Sequence, residues 1–118
     1  MGDLSKNFSR SEFVCKCGCG FDTPSTELVL VLEKLRTELG KPIGITFNGG
    51  CRCATHNKSV GGVAKSQHIL GTAADIKVAG LSPHIVSIAA NKVLESGGGI
   101  GVYNTFTHID VRPIRARW

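Results

Sequence analysis

Aromatic side chains are scarce in this chain: one tryptophan, one tyrosine and five phenylalanines among 118 residues. Basic residues interleaved with aromatics, the usual stacking platform for nucleic acid, are missing, so no nucleic-acid partner is expected. No apolar run approaches the ~20 residues that cross a bilayer. The opening MGDLSKNFSRSEF also lacks the apolar core of a secretory signal. The expectation is a protein without a membrane partner, cytoplasmic as synthesised. Gly2 does not make a myristoylation site, because Ser5 is not at the usual hydroxyl position. Acidic residues are the minority: nine Asp and Glu face fourteen Lys and Arg, for a formal charge of +5. That balance favours an anionic partner such as an acidic wall polymer, and equally serves solubility.

A chain of this length is too short for two cores, so residues 1–118 are expected to form one domain, and a monomer. Cysteine is present in an odd number, as Cys15, Cys17 and Cys19 in CKCGC and Cys51 and Cys53 in CRC. Five cysteines without a signal sequence argue against a complete disulfide framework. C-x-C pairs can bind zinc, although the usual structural spacing is C-x-x-C; a metal clip and a cluster of reduced thiols both remain open.

Along the chain, Ser9 and Glu12 have the spacing of a capping box, which predicts a short helix. From Ser25 to Leu39, Leu28, Val31, Leu32, Leu35 and Leu39 recur on one face and Gly40 is a natural stop, which predicts a second. KPIGITFNGG reads as a strand through Ile43, Ile45 and Phe47, and residues 49–67 as loop or very short helix. TAADIKVAG suits a buried strand. A further helix is predicted from Ser82 as N-cap and Pro83 as first residue, with Val86, Ala89, Ala90, Val93 and Leu94 facing inward. GIGVY and TFTHIDVR read as two strands joined at Asn104-Thr105, with Phe106, His108 and Asp110 on one face and Thr107, Ile109 and Val111 on the other. The whole predicts an α+β domain with helices packed on a small, mostly antiparallel sheet.

His68, Asp75 and His108 are the candidates for a metal site. A catalytic zinc takes three nitrogen and oxygen ligands and keeps one position open. His68 on a loop and Asp75 on the next strand can converge if the intervening residues turn, and Gly71 gives the freedom to do so. Ala73 and Ala74 let that strand pack closely behind the site. His108, polar in an otherwise apolar strand, is the obvious third donor.

SQHILGTAADI, followed at a distance by THID, resembles the S-x-H-x-x-G-x-A-x-D and terminal-strand histidine motifs of the zinc D-Ala-D-Ala carboxypeptidase and L-alanoyl-D-glutamate peptidase family. NGGCRCATHNKSVGG is similar to that family's Ser/Asn-Gly-x-Arg-x-x-x-His-Asn loop. FSRSEFVCKCGCG and HIDVRPIRARW are similar to the start and end of its small phage and bacterial members. The resemblance implies a hedgehog-like zinc fold and a zinc (Zn2+) peptidase acting on peptidoglycan peptides or cross-links, possible as an endolysin. It makes His68, Asp75 and His108 the ligands, Arg52 the cation that holds a substrate carboxylate or carbonyl, and Ser66 a hydrogen-bonding group beside the metal.

The chain departs from the family at one point. Two or three positions before the last zinc histidine, relatives usually carry Glu, Asp or His as general acid/base; here those positions are Phe106 and Thr105, which cannot take a proton from water. Asp110 is then the base, a partner orienting His108, or a ligand with His108 as base. Hedgehog domains share the zinc architecture and act as binding modules, so the alternative is a catalytically inactive zinc module that binds the cell wall or is purely structural.

Overall fold

Capping side chains start the helices, and a glycine stop ends the longest of them. In the computed structural model, which describes residues 2–118, the Ser9 N–H donates to Glu12 Oε2 at 2.7 Å and opens α1 (Arg10–Phe13). Ser25 Oγ accepts from the Leu28 N–H at 3.1 Å to start α2 (Thr26–Leu39), which ends where Gly40 turns left-handed at φ 66°. The short α3 (Ala54–Ser59) falls within the expected loop region, with Cys53 as its N-cap. Ser82 caps α4 (Pro83–Leu94).

Five strands, β1 (Gly44–Ile45), β2 (Ala73–Lys77), β3 (Gly99–Val102), β4 (Thr107–Asp110) and β5 (Ala116–Arg117), form one sheet in the order β1-β2-β4-β3-β5. Every pairing is antiparallel except β3 with β5. The α+β class and the mostly antiparallel sheet therefore agree with the sequence reading. The expected strand through Ile43, Ile45 and Phe47 is cut to two residues, Gly44 and Ile45. Thr46 to Gly49 form a turn, closed by the Gly49 N–H on Thr46 O at 3.0 Å, which leaves Phe47 exposed. Gly49 is required there, since a Cβ would run into Asp75 O at 2.7 Å. The turn also pins β2: the Thr46 N–H donates to Asp75 O and the Asp75 N–H to Gly49 O.

Alternation along the strands divides the sheet into two unlike faces. Ala74, Ile76, Ile100 and Ile109 point into one core with Leu28, Leu32 and Leu35 of α2 and Val86 and Ala90 of α4. On the opposite face lie Asp75, His108 and Asp110, with Arg52 and His68 of the preceding loops against Asp75.

The N-terminal segment is held to α2 by Glu33, which accepts from Ser5 Oγ, the Asn7 N–H and Asn7 Nδ2. Burial alone would raise the Glu33 pKa, but these bonds and Arg36 lower it. Its contribution to stability is thus full above the unfolded-state value of about 4.3 and lost as pH falls through the lower folded value. Glu33→Ala is expected to cost on the order of 1 kcal/mol at neutral pH. The difference from wild type should shrink in thermal melts below about pH 4; a penalty independent of pH would contradict the assignment.

Candidate functional site

Asp75 and His108 are direct cross-strand partners in the β2–β4 ladder, and Ala73 is the partner of Asp110. Period-two alternation puts all four on the polar face of the sheet. His68 arrives from the turn between α3 and β2. There the Gly71 N–H donates to His68 O, and Gly71 itself sits at φ 72°, a conformation that glycine adopts without steric cost. Gly71 O in turn accepts from the Ser25 N–H at the start of α2, so the turn is anchored to the main helix.

One ligand-type atom each from His68, Asp75 and His108 lies within 4.8 Å of the others, and all three residues are buried. His68 Nε2 is 3.3 Å and His108 Nδ1 is 3.0 Å from the same atom, Asp75 Oδ1. The far ring nitrogens determine what these near ones are. His68 Nδ1 faces Gly50 O at 2.8 Å, and His108 Nε2 faces Asp110 Oδ2 at 2.8 Å. Gly50 O can only accept, so Nδ1 of His68 carries an N–H; both nitrogens of His108 face carboxylates, and with a metal on Nδ1 its N–H is on Nε2, toward Asp110. In that state Nε2 of His68 and Nδ1 of His108 present lone pairs beside a carboxylate oxygen. Two imidazole nitrogens and one carboxylate oxygen converging on a point are a donor set that fits a zinc ion.

Burial by itself would raise the Asp75 pKa, but hydrogen bonds and charge from His108 and His68 bring it down to about 2. Burial would lower that of His108, and the bonds to Asp110 and Asp75 raise it instead. Asp75 is anionic at neutral pH, and a proton can take the cation's place when none other is bound.

Asp110 is completely buried. Besides His108 it holds Arg112, whose Nε donates to Oδ1 at 2.8 Å, NH2 to Oδ2 at 2.7 Å and backbone N–H to Oδ1 at 3.1 Å. These bonds depress its pKa well below the usual carboxylate range despite its burial. Gly99 lies opposite on β3, where any Cβ would collide with this carboxylate. Arg52 lies on the other side of the centre: Nε donates to Asn48 O at 2.9 Å, NH1 to Asn57 Oδ1 at 2.9 Å and NH2 to Asp75 Oδ2 at 3.3 Å. Ser66 is buried, and its Oγ accepts from the His68 N–H at 3.2 Å. The fold thus brings all six candidates together, with Arg52 bonded to Asp75 and Ser66 beneath the backbone of His68.

The centre opens into a cleft of about 510 Å³. Tyr103 and Phe106 stack in its wall with ring centroids 4.5 Å apart. Trp118 donates from Nε1 to the Tyr103 hydroxyl, lies 5.1 Å from the His108 ring and carries the Arg112 guanidinium over its own ring. Gly101 beneath it has no room for a side chain. Sequence reasoning gave no role to Trp118, Tyr103, Arg112 or the buried Asn57, which ties Arg52 to Val63 O. Arg112 could have been found: it continues the alternation of His108 and Asp110. Trp118 reaches the site through the pairing of β5 with β3, for which the sequence offers no local signal.

A family model described as Peptidase M15 matches residues 6–110, a span that contains all six candidates. No curated protein matches the chain.

Proposed function

We propose, from the premise that this chain belongs to the Peptidase M15 family, that it is a zinc peptidase hydrolysing peptidoglycan stem peptides or cross-links as a monomer. The observation that carries this reading is the convergence of two histidine ring nitrogens on one buried carboxylate oxygen at the floor of an open cleft. His68, Asp75 and His108 would hold the metal. Zinc supplies Lewis-acid polarisation of a peptide carbonyl and acidifies water.

The surrounding residues bind and orient. Arg52 NH2 fixes Oδ2 of Asp75 and leaves Oδ1 to the metal. Arg52 lines the cleft and uses three of its five N–H groups on Asn48, Asn57 and Asp75, so a guanidinium donor is left for a substrate carboxylate or carbonyl. Ser66 holds the backbone of His68. Lys65 and Arg112 add positive charge to the cleft lining, in keeping with an anionic wall peptide and the +5 net charge. Tyr103, Phe106 and Trp118 offer an apolar wall for the D-amino-acid side chains.

Asp110 is best read as the residue that orients His108. Its oxygens are occupied by Arg112 and His108, so little of it is left to take a proton from water. Asp75 is then the one carboxylate lining the cleft among the described residues. That observation favours a second reading, a zinc-holding wall-binding module without catalysis. An endolysin acting on the wall after release is the setting that the resemblance to small phage members supports.

The test is incubation of the zinc-loaded protein with purified murein and synthetic stem peptides, with products identified by mass spectrometry. Zinc-dependent release of a defined fragment, stopped by a chelator and restored by zinc, is the expected result. Zinc bound at the centre with no fragment released from any substrate would establish the binding module instead.

A further inference from the structure

The CKCGC knuckle lies outside the cleft and takes no part in the chemistry above. Cys15 and Cys17 come from the turn after α1, and Cys53 comes from the N-cap of α3, 38 residues away from Cys15. Together with Cys19, their sulfur atoms all lie within 4.8 Å of one another. Three of the separations are resolved: Cys15 to Cys17 at 3.5 Å, Cys17 to Cys53 at 3.5 Å and Cys15 to Cys53 at 3.9 Å. Sulfurs placed about 2.3 Å from a tetrahedral zinc are about 3.8 Å apart. A disulfide would require about 2.05 Å.

The backbone is shaped to this grouping. Gly18 and Gly20 sit at φ 87° and 89°, between and just after the last two cysteines, in a region where side chains are strained. The Cys15 N–H closes the knuckle on Phe21 O at 2.8 Å. Two further N–H groups point at sulfur: Cys53 to Cys15 Sγ at 3.5 Å and His56 to Cys53 Sγ at 3.4 Å. Backbone donors of this kind favour a thiolate over a thiol. Cys51 lies apart in the hydrophobic core, which accounts for the odd number of cysteines.

We propose that Cys15, Cys17, Cys19 and Cys53 form a second, closed tetrathiolate site for a structural zinc ion. Binding releases the thiol protons to solvent and changes no oxidation state. Four protein ligands leave no open position, so this metal does no chemistry on a substrate. It cross-links the N-terminal arm to the loop that carries Arg52 and Gly50, next to Cys53 and on either side of Cys51. The same loop hands Gly50 O to His68, so the clip braces the catalytic centre from outside.

The probe is Co2+ substituted into the full-length protein. Wild type should show the near-ultraviolet thiolate-to-cobalt charge transfer of a tetrathiolate centre, and His68→Ala should retain it with one equivalent of metal per chain. Cys17 and Cys19 are both exposed, so the double change Cys17→Ser, Cys19→Ser can be made without disturbing the core; it should lose most of that band. Absence of the band in wild type would overturn the proposal, as would finding the four cysteines thiol-reactive or disulfide-linked in zinc-loaded protein. The cobalt band is independent of the His68 centre, so failure of the peptidase reading would leave this result untouched.

Discussion

His68→Ala is expected to abolish metal binding at the His68/Asp75/His108 centre and to lower kcat/KM on stem peptides by about a thousandfold. That loss corresponds to roughly 4 kcal/mol of transition-state stabilisation, the scale of a Lewis-acid contribution. Only two donors, Asp75 Oδ1 and His108 Nδ1, would remain, too few to hold a zinc ion with an open position. The fold should survive, because the side chain makes one hydrogen bond outside the centre, to Gly50 O, worth about 1 kcal/mol. Circular dichroism and elemental analysis check these two halves separately. A folded variant that kept its activity would remove His68 from the mechanism.

Asp110→Asn should have the second-largest effect, and its form distinguishes the roles open to this residue. If Asp110 orients His108, the amide weakens metal affinity about 10- to 100-fold, the usual cost of losing a partner behind a ligand. An asparagine oxygen in the Oδ2 position can accept from both His108 Nε2 and the Arg112 guanidinium, but it carries no charge, and the NH2 group in the Oδ1 position then faces two further donors, the Nε and backbone N–H of Arg112. Saturating zinc would restore most of the rate. If Asp110 is instead the general base, kcat falls by about 100- to 10,000-fold and added zinc does not rescue it. Metal affinity and kcat measured on the same variant, across a zinc titration, separate the two.

Much of this architecture was legible from local pattern. The capped helices α2 and α4 were, because Ser25 and Ser82 start them and apolar periodicity fills their inner faces. The convergence of His68 and Asp75 was legible through Gly71, and the shared face of His108 and Asp110 through strand alternation. What the sequence could not convey depends on distant pairing. Phe47 continues an alternating pattern yet stands in solvent, because the backbone of residues 46–49 turns to bond with Asp75. The C-terminal residues Ala116 and Arg117 look like an irregular tail until β3 supplies a parallel edge. The contribution of Arg52 to Asp75, 23 residues apart, likewise appears only once the loop is folded back.

The alternation within β4 separates two kinds of genetic tolerance. Over four residues, Thr107 and Ile109 belong to the hydrophobic side of the sheet and His108 and Asp110 to the polar side. Point substitutions can therefore retune either side while leaving its neighbour intact. Inserting or deleting a single codon within this strand exchanges the two sides for the residues beyond it, burying charge where Ile109 was and turning apolar groups toward the His68/Asp75 cluster. Divergence of such a protein should accordingly accumulate as replacements within β4 and as length changes only beyond its ends, in the Asn104-Thr105 turn or in the 112–115 segment.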